Sequence, residues 1–150
     1  MEANTVAMQA AREFLEQVRR LRNEIEDKER RIEMLHDMAT STTGRISDMP
    51  RSDSPDLQKM ESVLCKVTDL EREVAGKRIA LAAAKERVTT ALCELEDYKE
   101  QRVLFARYIE CRAWSSIAEE TGYGRSSMYR YHDAGVAHIA KALDRGVVHA

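Results

Sequence analysis

A chain of 150 residues with two prolines, six glycines, eight aromatic side chains and 33% charged residues is long enough for one or two modest units and too short for a large enzyme core. Its composition suits long, heavily solvated helices. The net charge of −2 excludes a generally basic coat, so any contact with nucleic acid must be local. Residues 1–100 carry 17 basic and 21 acidic side chains and residues 101–150 carry seven and five, which puts the positive balance at the C-terminal end.

The N-terminus has no basic region followed by an apolar core, and the longest apolar run, Ile79 to Ala84, is far too short to span a bilayer. A soluble protein of the cytoplasm is expected, with no membrane partner. From about Thr5 to Ala39 a heptad stripe predicts a helix roughly 50 Å long. Ala11, Val18, Ile25, Ile32 and Ala39 fall seven apart, with Phe14, Leu21, Lys28 and Leu35 between them. Such a helix cannot bury its stripe alone.

Residues 40–56 break the pattern with Thr, Ser, Gly and Pro and read as a linker. Ser54, Pro55 and Asp56 then give a helix start: a hydroxyl cap, a proline at the first helical position and an acid in the first turn. A second, more regular stripe follows at Met60, Val67, Val74, Leu81, Val88 and Leu95, with Val63, Leu70, Lys77, Ala84, Ala91 and Tyr98 between them. Each stripe carries one lysine, a device that favours register over stability. The economical arrangement is a long antiparallel coiled-coil helical hairpin over residues 1–98, folded at 40–56. A parallel dimer through either stripe is the alternative.

Asp97 to Glu100 reads as a capping box opening a further helix through about Cys111, although the heptad could also run on unbroken to Phe105. Cys65, Cys93 and Cys111 have neither metal spacing nor a neighbouring histidine pair, so buried or half-buried free thiols are expected and no metal or cofactor. A short helix from about Ala113 to Thr121 would turn Trp114, Ile117 and Ala118 inward and leave Glu119 and Glu120 in water. Gly122 stands where the chain must turn sharply. A last helix from Gly124 or Arg125 to about Asp144 would bury Met128, Tyr131, Gly135, Ile139 and Leu143. Gly135 costs roughly 1 kcal/mol inside a helix, so it suggests a close helix contact.

The opposite face of that helix presents Arg125, Ser126, Ser127, Tyr129 and Arg130, donors with no acid before Asp133. A DNA-recognition helix needs this arrangement, since its first turns enter the major groove and its positive dipole end lies near phosphates. His132 reads either as packing or as a further phosphate contact, and His132 and His138, six apart, disfavour a metal pair on one helix face. Residues 99–150 are therefore expected to form a helix-turn-helix domain in an all-α protein.

The opening heptads, the stretch from Thr40 to Pro55, the Leu-Glu-Arg-Glu of 70–73, and the terminal Arg107 to Ala118 with Tyr129 to His132 resemble the phage-encoded late transcriptional regulators of the RinA and ArpU type. Their C-terminal part is similar to region four of bacterial sigma factors. The resemblance implies double-stranded DNA as partner, with Arg125, Ser126, Ser127, Tyr129 and Arg130 facing it, host RNA polymerase as a second partner, and activation of late or packaging genes in a bacterial host cell. Two departures stand out: Gly124 replaces the usual serine cap and Ala113 a polar residue.

The expected function is thus a sequence-specific DNA-binding transcription regulator, homo-oligomeric through its coiled-coil helices. The alternatives are a packaging component similar to a terminase small subunit, which predicts a closed ring, and a coiled-coil adaptor, which predicts no DNA binding. No paired carboxylates, nucleophile–base set or phosphate loop points to an enzyme.

Overall fold

The computed structural model describes residues 2–43 and 55–146, and within them the protein is all-α. Helix α1 is Glu2–Thr43, α2 Pro55–Cys93, α3 Tyr98–Leu104, α4 Trp114–Thr121 and α5 Arg125–Asp144, with a π-helical turn at Phe105–Ile109 between α3 and α4. No helix among the described residues is long and apolar enough to cross a membrane. Helix α1 continues through Thr43, into the stretch that reads as a linker. The rest of that stretch up to Ser54, including the serine read as a helix cap, lies outside the described residues, as does the tail from Val147 to Ala150.

The chain divides into two compact units, Leu21–Ala80 and Met1–Arg20 with Leu81–Ala150. In the first, α1 and α2 run in opposite directions, because Glu24 pairs with Lys77 (2.7 Å) whereas Lys28, further along α1, pairs with Glu73 (2.5 Å), earlier on α2. Arg78 and Glu29 add a third bridge. Both lysines of the heptad stripes thus reach a glutamate on the facing helix. Exposed bridges of this kind add little stability, and their use is to fix which residues lie opposite each other. The Lys28 ammonium holds the Glu73 carboxyl below its usual range, first by hydrogen bonding and then by charge. Ile25, Val67 and Val74 are buried between the helices, while Ile32, Leu35, Met60, Val63 and Leu70 are only half-covered.

The second unit buries far more. Ala11, Phe14, Leu15 and Val18 of α1 and Ala84, Val88, Ala91 and Leu92 of α2 are all at or below 3% exposure. Leu15 and Leu92 lie off the heptad stripes. Both belong to the unit that also holds α3, α4 and α5, and Gln101 of α3 donates from Nε2 to the Leu92 carbonyl (3.1 Å).

Helix α2 ends at Cys93, so Leu95 and Tyr98, which continue the heptad in sequence, do not continue the helix, and Tyr98 stays exposed. The break is made by a new cap. Asp97 Oδ1 accepts from the backbone N–H of Lys99 (2.8 Å) and of Glu100 (3.4 Å) and starts α3. The reciprocal half of the expected capping box is replaced: the buried Glu100 carboxylate instead accepts from His138 Nδ1 of α5 (2.7 Å). The thiols also depart from expectation. Cys65 and Cys93 are exposed and only Cys111 is half-buried, since the first two fall on helix faces away from the packed stripes.

Helices α3 and α5 approach closely at Gly135. A β-carbon there would lie 2.6 Å from Leu104 Cδ1 and 3.2 Å from its Cγ, which explains a glycine in the middle of a helix. Around this crossing Val103, Ala106, Ile117 and Met128 form a buried cluster, with Trp114, Ala118, Tyr123 and Tyr131 packed on its rim.

Candidate nucleic-acid interface

Helices α4 and α5 are joined by three residues, Gly122, Tyr123 and Gly124. Gly122 caps α4 at φ 71°, a left-handed conformation that a side chain would strain, and its N–H returns to the Ala118 carbonyl. The Thr121 hydroxyl donates to the Ile117 carbonyl (2.6 Å) and accepts from the Tyr123 N–H (3.3 Å), which holds the turn. Ile117 and Met128 close it from inside, both fully buried.

Burial along α5 follows one face: Met128, His132, Gly135, Val136, Ile139 and Ala140. Ser126 and Arg130 fall opposite that stripe, whereas Arg125 and Tyr129, each three residues before a buried position, fall beside it and are open because they lie in the first turns. Arg125, Ser126 and Arg130 are exposed, Ser127 is half-buried and Tyr129 is 38% exposed. Neither α4 nor α5 has a side-chain cap, since Ala113 and Gly124 occupy those positions, so the first N–H groups of both helices have no side-chain acceptor. Within residues 125–132 there is no acid. The arrangement offers hydroxyls, guanidinium groups and two positive helix ends, a set suited to anionic, hydrogen-bonding ligands.

Tyr129 does not project alone. Its ring leans on Trp114 (centroids 5.1 Å apart), and Trp114 also meets His132 edge-on (5.0 Å) and carries the Arg107 guanidinium over its face (4.5 Å). Arg107 further donates to the Arg112 carbonyl (2.9 Å). Burial, and next the charge of Arg19, lower the Arg107 pKa from its ordinary value.

His132 differs from its neighbours in the sequence reading. It is buried, with Nδ1 2.9 Å from Asp133 Oδ1 and Nε2 2.6 Å from the Tyr108 hydroxyl. A carboxylate only accepts, so a neutral ring with its proton on Nδ1 satisfies both contacts, the Tyr108 O–H donating to Nε2. Both ring nitrogens are used internally, which favours packing over phosphate contact. Tyr108 itself lies in the π-helical turn, whose Glu110 N–H bonds back to the Phe105 carbonyl (3.1 Å) and whose exit runs through Cys111 at φ 55°. Sequence reasoning missed this pair, because the partners are 24 residues apart and no pattern links them.

Burial, ahead of the negative charge of Glu16, pushes the Tyr108 hydroxyl up from 10.0 to about 12. The folded state therefore holds the proton more tightly than the unfolded chain. The stability this represents, roughly 2–3 kcal/mol, is fully present below pH 10 and lost as the pH rises to about 12. Denaturation midpoints measured from pH 9 to 12 should fall across that window, and a Tyr108→Phe protein should lack this part of the fall while being about 1–3 kcal/mol less stable at neutral pH, since His132 Nε2 loses its donor. Parallel alkaline curves for the two proteins would contradict the assignment.

The sequence reading also overlooked Lys99 and Arg102 on α3. The first lies 5.5 Å from the Tyr131 ring centre and the second 5.9 Å from that of Tyr123. Comparisons with protein-family models, with curated proteins and with solved structures give no match.

Proposed function

We propose that the protein is a sequence-specific, double-stranded-DNA-binding transcription regulator of the RinA and ArpU type, an activator of phage late or packaging genes, in which α4 and α5 form a helix-turn-helix. The observation that carries the reading is the α4–Gly122–α5 unit. Its inner face is closed by Ile117 and Met128, while the first turns of α5 hold Arg125, Ser126, Tyr129 and Arg130 out to solvent with no acid among them.

In this reading α5 enters the major groove. Arginine pairs with guanine edges or phosphate, the serines serve either, and the uncapped N–H groups of α4 and α5 meet phosphate oxygens. Ionic contacts supply affinity that weakens with salt, and the base contacts supply selectivity. Helices α1 and α2 form the coiled-coil hairpin, through which chains associate and a second partner, host RNA polymerase, is engaged. The crossed lysine–glutamate pairs support an intrachain antiparallel seam, and the half-covered apolar residues of the Leu21–Ala80 unit support association.

The test is binding of the purified chain to DNA from upstream of its neighbouring operon against a scrambled duplex, at two salt concentrations, with the mass of the complex determined on the same sample. Selective, salt-sensitive binding by a small oligomer is expected. Equal affinity for both duplexes would remove the regulator reading.

A further inference from the structure

Five basic residues of the described structure have their charge met by an acid of the same chain. Lys28, Lys77, Arg78, Arg30 and Arg112 each lie against a carboxylate. Most of the other described ones have no carboxylate within ion-pair distance, Lys99, Arg102 and Arg130 among them, and these three differ from the rest in converging from two helices on one pair of tyrosines. Tyr123 and Tyr131 stand edge to face, 5.3 Å apart, and Arg130 lies 5.8 Å from the Tyr131 ring on the side of α5, while Lys99 and Arg102 reach the pair from α3. Three acids of the same unit are already engaged. Glu100 accepts from His138, and Glu110 and Glu120 both pair with Arg112.

Three cationic groups around one pair of rings offer an arriving anion more than one positive partner. Resting on ring faces also restricts two long side chains before any ligand binds, which lowers the entropy lost on contact. The location selects the anion. Arg130 and Ser126 lie on the outward line of α5, and Tyr131 is one helical step to its side. A helix about 10–12 Å across nearly fills a major groove of about 12 Å, so side chains one step off its outward line meet the sugar–phosphate strand bordering the groove.

We propose that Lys99 and Arg102, held on the faces of Tyr131 and Tyr123, form a phosphate-binding shoulder contributed by α3, which grips one DNA strand while α5 occupies the groove. The shoulder rests on the DNA-binding reading of α5. It contributes affinity without sequence preference, because phosphates are common to all sites.

The experiment uses the full chain and a 30-base-pair duplex of mixed sequence, with affinity measured from 50 to 200 mM salt. The Lys99→Ala/Arg102→Ala protein is expected to bind about tenfold more weakly at the low-salt end, with a salt slope smaller by about two. Lys99→Gln/Arg102→Gln, which keeps much of each stem, should behave alike, and circular dichroism should report unchanged helix. Lys59→Ala/Lys66→Ala, which removes the same charge from exposed sites of the Leu21–Ala80 unit, should bind as the parent does. A parent slope retained by both shoulder variants would overturn the shoulder and leave the α5 reading standing. An equal loss in the Lys59/Lys66 control would overturn it in favour of net charge, and no binding by the parent would overturn both.

Discussion

The Arg125→Ala/Arg130→Ala protein is expected to lose selective duplex binding by on the order of a hundredfold or more while keeping its helical content. Both side chains are exposed on the first turns of α5 and neither closes the core, so their removal leaves Ile117, Met128 and Ile139 buried as before. A well-placed arginine–base pair discriminates by about 1–3 kcal/mol, and two such losses multiply. Fluorescence anisotropy with a labelled operator, alongside circular dichroism, makes the comparison. A double variant that binds and discriminates like the parent would show that the face of α5 is a solvated surface.

The second large effect concerns stability. Leu104→Ala removes a fully buried side chain at the α3–α5 crossing and should cost about 2–5 kcal/mol. More telling is its effect on Gly135. In the parent, Gly135→Ala sets a methyl 2.6 Å from Leu104 Cδ1, and this overpacking, about 1–3 kcal/mol, outweighs the roughly 1 kcal/mol that alanine gains over glycine inside a helix. With alanine at 104 the obstacle is gone and the same change should stabilise. Urea denaturation of the four proteins reads the reversal directly. If Gly135→Ala has the same sign in both backgrounds, the close approach does not set the residue at 135.

Local signals made much of the architecture legible. Periodicity marked the long helices, Asp97 marked the start of α3, and Gly122 marked a turn that its φ of 71° requires. The spacing of Met128, Gly135 and Ile139 identified the buried face of α5, although His132, Val136 and Ala140 complete it. What escaped depended on pairing across distance. Nothing near Glu100 announces that it will turn from Asp97 to His138, because both choices satisfy a carboxylate and tertiary packing decides between them. The π-helical turn has no sequence period of its own, and it decides that Tyr108 faces His132. The heptad could not say where α2 stops, since apolar residues recur at Leu95 and Tyr98 after the helix has ended. Of the candidate site, the exposure of Arg125, Ser126, Tyr129 and Arg130 was legible, whereas the placing of Lys99 and Arg102 over two tyrosine rings was not, because as letters they look like any charged helix surface.

Helix α1 is one uninterrupted element whose first part belongs to one compact unit and whose second part belongs to the other. Residues that a cassette view would assign to a separate rod, Ala11, Phe14, Leu15 and Val18 with Val88 and Leu92, are therefore core of the unit that also holds α3 to α5. Excising the last fifty residues would leave that core's partners behind and expose its apolar wall to water. Recombination or engineering that transplants the α3–α5 end of this protein onto another scaffold has to carry the first turns of α1 with it.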